Sequence, residues 1–401
     1  MVDQNSISPQ RRLGSIVALN AVSILAQFGQ YGLGTTLIPI GLKARNAGAE
    51  SIGVASSALW CGMLVGLLIA GQLTRTLGYR TTLIVGILLS ALSFILMPLV
   101  DWQLWAIPAA IIGFGLGLRW IALETWLYRI IPTKAQGRII GIHESLLATA
   151  AFLGPLMMVT MDPLKPDAFW LAAAVMLFGF VPLCFAQTIP AHSLEETTAT
   201  ASKVRPNLKF NLRQKWQYWL GFGAVVAGLG GYVEGSLLAF IPVYTADIGF
   251  TAADAAWLLT IFQIGAMAFQ FPVGWMADHY GLLKTTKACA AIAFAGLLSA
   301  IAFGAQLPIL TITTFMLGGS IASTLSLGLI WAVHNNTGAI ITNKVKQVSV
   351  TYTALSAIGP LITGFVINGS SSNCLFWQQL ILVLVLLVFL LCQKKTEQKS
   401  G

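Results

Sequence analysis

The chain is 401 residues long, 56% apolar and 9% charged, with 23 Lys and Arg against 14 Asp and Glu and a formal net charge of +9. A soluble chain of this length would form two or three domains with roughly a quarter of their residues charged. The composition therefore excludes a soluble globular enzyme and a disordered chain and leaves a polytopic membrane protein. In a soluble protein +9 would suggest nucleic acid; here it points to basic loops gathered on one face of a bilayer, and no nucleic-acid partner is expected.

The predicted elements, in chain order, are apolar helices. Arg11 and Arg12 precede an apolar stretch, Leu13 to Leu42, too long for the core of a signal peptide and without a clear small-residue cleavage pattern. It reads as a retained first span. At roughly 20 apolar residues per spanning helix, the sequence holds twelve spans, near residues 14–41, 52–73, 81–100, 103–126, 139–161, 168–189, 216–245, 253–276, 285–304, 308–333, 340–367 and 374–392. One joint is long: Pro190 to Lys215 is polar, Thr-rich and charged. The expected architecture is an all-α membrane protein with 12 transmembrane helices in two pseudo-symmetric six-helix bundles, residues 1–190 and 215–401, joined by a cytoplasmic linker over 191–214.

Charge orients these spans. With the N-terminus in the cytoplasm, 19 of the 23 Lys and Arg residues fall on the inner side; Lys43, Arg45 and Lys165 fall outside, and Arg119 lies within a span. That bias predicts both termini inside. The five cysteines (Cys61, Cys184, Cys289, Cys374, Cys392) form no CxxC pair, and His143, His192, His279 and His334 have no metal-ligand spacing. No metal, disulfide or cofactor is expected. The sequence has no Walker loop, GxSxG or HExxH, so it is not read as an enzyme.

The two halves repeat. Pro39 maps on Pro242, Gly62 on Gly265, Gly71 on Gly274 and Gly78 on Gly281, all at an offset of 203, and Gly154-Pro155 maps on Gly359-Pro360 at 205. Parallel repeats of this kind build one class of secondary transporter. The loop after span 8, Gly274-Trp275-Met276-Ala277-Asp278-His279-Tyr280-Gly281 with Lys284 beyond, resembles the G-x-L-A-D-r-x-G-r-K signature of the major facilitator superfamily. The loop after span 2, Gly71 to Arg80, is similar to it with Arg75 in place of the aspartate. Arg138-Ile139-Ile140-Gly141 and Gly154-Pro155 also resemble that superfamily, and Glu124-Thr125-Trp126-Leu127 looks closest to a bacterial branch of permeases of undefined substrate. The resemblance implies two bundles around a central site, a bacterial inner-membrane location, and loops that latch one access state: Gly71, Arg75, Gly78 and Arg80 in the first half, Gly274, Asp278, Gly281 and Lys284 in the second. Arg75 reverses the charge of the first latch. The glycines are expected to allow close backbone approach and positive φ, and Asp278 to sit by a helix N-terminus; both loops could equally be basic turns that fix topology.

An ionisable residue within a span is a functional candidate because burying it costs several kcal/mol. Arg119 in span 4 and Glu144 in span 5 number symmetrically about 131.5, near Pro132, which predicts equal depth and an ion pair. That pair would either bind an anionic substrate group or stitch two helices. Glu124, about 140° round the helix from Arg119, reads as an anchor near the membrane surface. Glu234 in span 7, among Gly228, Gly230 and Gly231 and with no base nearby in sequence, is the candidate for proton coupling; a neutral, hydrogen-bonded Glu is the plainer reading. Asn20, Gln27 and Tyr31 share one face of span 1, and Gln263 and Gln270 one face of span 8. The resemblance implies that the span 1 set and Glu234 face a small-molecule substrate; hydrogen bonds between helices would explain the amides equally.

The expected function is a secondary active transporter, a monomer in the lipid bilayer, moving a small organic solute by alternating access with proton coupling. A drug or metabolite efflux antiporter is the close alternative, although Met157 and Met158 stand where the superfamily's drug antiporters carry Gly-Gly. A non-transporting membrane sensor is the remote one.

Overall fold

A computed structural model describes residues 9–132, 136–187, 221–333 and 339–392. Among the described residues the structure is helical throughout, with no strand. The first span is composite: α1 (Pro9–Gln27), a π-helical turn (Phe28–Leu33) and α2 (Gly34–Ala44). It is followed by α3 (Ala49–Leu77), α4 (Tyr79–Leu96), α5 (Ala106–Ile130), α6 (Gln136–Met158), α7 (Asp167–Phe178) and α8 (Phe180–Leu183). The second half holds α9 (Phe222–Asp247), α10 (Ala252–Tyr280), α11 (Leu282–Phe303), α12 (Leu307–Val333), α13 (Ala339–Asn368) and α14 (Cys374–Cys392). Eleven of the described helices, counting Arg11–Ala44 as one, are long and apolar enough to cross a membrane. The sixth expected span is the shorter apolar pair α7–α8, Asp167–Leu183.

These helices are made by apolar content rather than by strong caps. On α14, Trp377, Ile381, Leu384, Val388 and Leu391 are exposed while Leu380, Val383, Leu386 and Leu390 are buried. An apolar outer face of this kind fits hydrocarbon, where the backbone must satisfy itself within each helix.

Packing divides the chain into two compact units, Met1–Ala47 with Val54–Asn211, and Gly48–Gly53 with Leu212–Gly401. The expected linker, 191–214, lies outside the described residues, as does His334. In the first unit, α3 and α5 meet through glycine: a Cβ on Gly62 would overlap the Ala110 carbonyl, and one on Gly113 the Leu59 carbonyl. In the second unit, α10 and α12 meet at the same places, Gly265 on the Phe315 carbonyl and Gly318 on the Phe262 carbonyl. The α-helical part of the repeat extends further. A Cβ on Gly32 would lie 2.8 Å from the Ala150 carbonyl, while one on Gly235 would overlap the Ser356 carbonyl. With no hydrophobic force between helices in lipid, close backbone approach is what binds them.

The hairpin loops correct one expectation. Gly78 and Gly281 take positive φ, +83° and +88°, and each starts the following helix. Gly71 and Gly274 do not bring backbones together: a Cβ on either would meet nothing within 4 Å. Both lie inside helices, one turn or more before the chain reverses. Asp278 is exposed in the last turn of α10, and Arg75 is exposed in the last turn of α3, where a cation suits the C-terminal end of the helix dipole. Among the described residues no hydrogen bond reaches Asp278. Lys284 and Arg80 lie in the first turns of α11 and α4.

Arg45, just past α2, braces the opposite end of the first unit. Its guanidinium donates to the carbonyls of Gly41, Pro163 and Leu164 and lies 4.8 Å from the Trp105 ring centroid. Burial lowers its pKa from the ordinary arginine range, with the Asp162 charge opposing.

Candidate functional site

In the first unit polar residues of the spans meet one another across helices. The π-helical turn begins just after Gln27, and Gln30 within it donates to Ser90 Oγ at 2.7 Å. A wider turn is rare and tends to mark functional positions. Gln27 Oε1 accepts a 2.6 Å hydrogen bond from Arg119 Nη2. Arg119 is 2% exposed. Asn20, two turns before Gln27, accepts at Oδ1 from His143 Nδ1 at 2.9 Å, and its own Nδ2 donates to the Ile16 carbonyl at 2.8 Å. The face expected to carry Asn20 and Gln27 together therefore meets α5 and α6. Tyr31 stacks edge-on with Trp60, centroids 6.3 Å apart.

The expected pairing of Arg119 with Glu144 is not the one found. Glu144 accepts a hydrogen bond from the Tyr128 hydroxyl, and the carboxylate whose field acts on Arg119 is Glu124. The reason is the register of the hairpin. α5 ends at Ile130 and α6 begins at Gln136, so the turn centres near residue 133, later than the sequence suggests. Arg119 then lies ~4.5 Å deeper than Glu144 at 1.5 Å per residue, and Glu124 takes the level opposite His143 and Glu144. Oxygens of Glu124 and Glu144 and an imidazole nitrogen of His143 lie within 4.8 Å of one another. Glu124, expected as a surface anchor, belongs to this cluster. His143, which looked ungrouped in the sequence, is buried within it.

In the second unit, Glu234 is 4% exposed and accepts a 2.7 Å hydrogen bond from the Tyr352 hydroxyl of α13. Further along, Gln378 Nε2 of α14 donates to the Tyr232 hydroxyl at 2.6 Å, and Thr363 Oγ1 donates to Ser236 Oγ at 3.1 Å. Gln263 is buried on α10. The residues that sequence reasoning missed are Tyr128, Tyr352 and the grouping of His143. The two tyrosines carried one usable signal, since a buried tyrosine hydroxyl needs a partner.

The Major Facilitator Superfamily profile matches residues 19–251 and 220–401. Among curated relatives, an uncharacterized MFS-type transporter of Yersinia enterocolitica, YE1530, is 26% identical over 91% of this chain and 92% of its own length. The uncharacterized MFS-type transporter YcaD of Escherichia fergusonii is 23% identical over 85% and 86%. Among solved structures, the nucleoside transporter NupG superposes with a TM-score of 0.75 at 13% identity over 94% of this chain and 99% of its own. The xylose transporter XylE from E. coli, in a partially occluded inward-open conformation, gives 0.68 at 14% identity over 96% and 100%. With the profile matching both halves, these findings establish that the chain belongs to the major facilitator superfamily of membrane transporters.

Proposed function

We propose that the protein is a secondary active transporter that moves a small organic solute by alternating access and couples that movement to protons through Glu234. The observation that carries the reading is Glu234 itself: a buried carboxyl inside α9, held by the Tyr352 hydroxyl. Charge at such a place is costly, so a carboxyl there is suited to take up and release a proton as its surroundings change. Arg119, Glu144, Gln27, Asn20, Tyr31 and Gln263 supply polar groups for the solute, and the Gly71–Arg80 and Gly274–Lys284 loops act as gates. One of the solved structures with this fold is a D-xylose-proton symporter, which supports the coupling. The bias of basic residues supports both termini lying on the cytoplasmic side of a bacterial inner membrane.

The test is transport by purified protein in proteoliposomes across a panel of metabolites and drugs, with and without an imposed pH gradient. Uptake or release that follows the gradient is expected, and Glu234→Gln should lose that response by tenfold or more. If Glu234→Gln transports as fast as wild type and still follows the gradient, the coupling role is wrong. If no solute on a broad panel moves, the transport reading itself fails.

A further inference from the structure

The geometry points to a site for the primary ammonium group of an amine-bearing monocation, formed in the first unit by Glu124, His143 and Glu144. The inference rests on the transporter reading for its role and deepens it by naming a solute class.

The argument starts from Asn20. Its Nδ2 donates to the Ile16 carbonyl, so its Oδ1 faces the imidazole of His143 as an acceptor. His143 Nδ1 must then carry a ring proton, and in the neutral imidazole Nε2 presents a lone pair. His143 is 0% exposed, and Nε2 is buried with no hydrogen-bond partner. A buried acceptor left unmet costs about 1–3 kcal/mol. Two more acceptors stand beside the ring, the carboxylates of Glu124 and Glu144, with an imidazole nitrogen and one oxygen of each carboxylate within 4.8 Å of one another. The only hydrogen bond to Glu144 described is from Tyr128, which leaves the carboxylate further lone pairs.

Three acceptors converging on one point ask for a ligand with three donors. A primary ammonium has three N–H groups and no acceptor. With arms of about 2.8 Å at tetrahedral angles it would hold its partners about 4.6 Å apart, which the 4.8 Å spread admits. A tetrahedral metal with bonds of about 2.1 Å would hold them about 3.4 Å apart, which the same limit admits. Charge separates the two. Among the described residues, the groups facing the site are two carboxylates, a neutral imidazole, the Tyr128 hydroxyl and, acting on Glu124, the Arg119 guanidinium. Their formal sum is one negative charge. A monocation closes it, whereas a divalent ion would leave an excess positive charge within a span. Glu144 is partly exposed, so the cluster is open on one side.

Thermal unfolding of the purified full chain in detergent, followed by intrinsic fluorescence, tests the site without transport. The probe is n-butylamine hydrochloride, against n-butanol, tetramethylammonium chloride, sodium chloride and zinc chloride. Butylamine should raise the unfolding temperature saturably; butanol has no charge and tetramethylammonium no N–H, and neither should. Glu124→Gln and Glu144→Gln should each weaken the apparent affinity at least tenfold, while Ser145→Ala, on the neighbouring exposed position, leaves it unchanged. Should the variants fail to fold, the probe series on wild type still decides. Equal protection by tetramethylammonium or sodium, protection by zinc and not by butylamine, or a response to pH alone overturns the site. Amine binding without transport of any solute would defeat the transporter reading and spare this one; transport of other solutes without amine binding would do the reverse.

Discussion

The two halves share a scaffold and differ in what it encloses. At offsets of 203 and 205 the glycine contacts of α3 with α5 recur between α10 and α12. The polar interior does not recur. Gln27 and Arg119, hydrogen-bonded in the first half, correspond to Gly230 and Thr324, which also lie against each other. Asn20 and His143 correspond to Gly223 and Val348, and Glu124, Tyr128 and Glu144 to Leu329, Val333 and Ser349. Conversely, Tyr31 corresponds to Glu234 and Leu147 to Tyr352. Backbone positions that set helix spacing have been kept while the side chains between them have diverged. The first unit holds a cluster of ionisable residues, Arg119, Glu124, His143 and Glu144, within its spans. Among the described residues, the second buries one acid, Glu234, on a regular helix.

The sharpest way to break that contrast is at the matched pair Arg119 and Thr324. Arg119→Ala leaves the half-buried Glu124 without its guanidinium and Gln27 without its donor, and should destabilise the protein by about 3–5 kcal/mol. Among the described residues Thr324 bonds within its own helix, to the Ile321 carbonyl at 2.6 Å, so Thr324→Ala should cost under about 1 kcal/mol. Unfolding in increasing SDS measures both; equal losses would mean that the halves are not organised differently. Next in size are Gly113→Val and Gly318→Val. Each drives side-chain atoms into a facing backbone carbonyl, at about 3 kcal/mol. Here the two losses should agree to within about 1 kcal/mol, because the contact is shared. A one-sided loss in the same unfolding assay would show that the repeat is geometric but not energetic.

The parts of this molecule that were legible in the sequence are those set by residue type alone. Glycine and proline at fixed offsets revealed the duplication, because only small residues allow the observed approach of Gly62 to Ala110 and Gly265 to Phe315. Apolar runs gave the spans, and the α7–α8 pair fell short because its apolar helices stop at Leu183. What was not legible depends on register across a turn. A shift of the α5–α6 turn by about two residues exchanged Arg119 for Glu124 as the neighbour of Glu144. The π-helical turn at Phe28–Leu33 has no compositional mark, since glycines at 29, 32 and 34 fit regular helix as well. Tyr352 was invisible because its partner Glu234 lies 118 residues away.

A smaller effect should again be equal in the two halves. Gly78→Ala and Gly281→Ala force an L-residue into positive φ with extended ψ, at about 2 kcal/mol each. Nothing lies within 4 Å of a Cβ on Gly78, so its loss would be purely conformational. With ψ at 163° and 148° both positions lie in the region that glycine alone populates, so Asn should be no better than Ala in the SDS assay; a rescue by Asn would show that the backbone has moved to the left-handed helical region.

The smallest expected effect concerns a helix start at which the halves differ. α10 begins with a capping box: Thr251 Oγ1 accepts from the Asp254 amide at 3.2 Å, and Asp254 Oδ2 accepts from the Thr251 amide at 2.9 Å. The corresponding residue before α3 is Gly48, which can reach the same backbone shape and leaves the first amides open to water, but has no side chain to cap with. Thr251→Ala removes the side-chain acceptor and keeps the conformational restriction of a Cβ, so it should cost about 1 kcal/mol. Thr251→Gly makes the start of α10 like that of α3 and should cost only a few tenths of a kcal/mol. The measurement is the thermal unfolding midpoint of the two variants in one detergent. If glycine is as harmful as alanine, the bonds to Asp254 rather than the backbone shape at residue 251 set the helix start, and α3 must be held by other means.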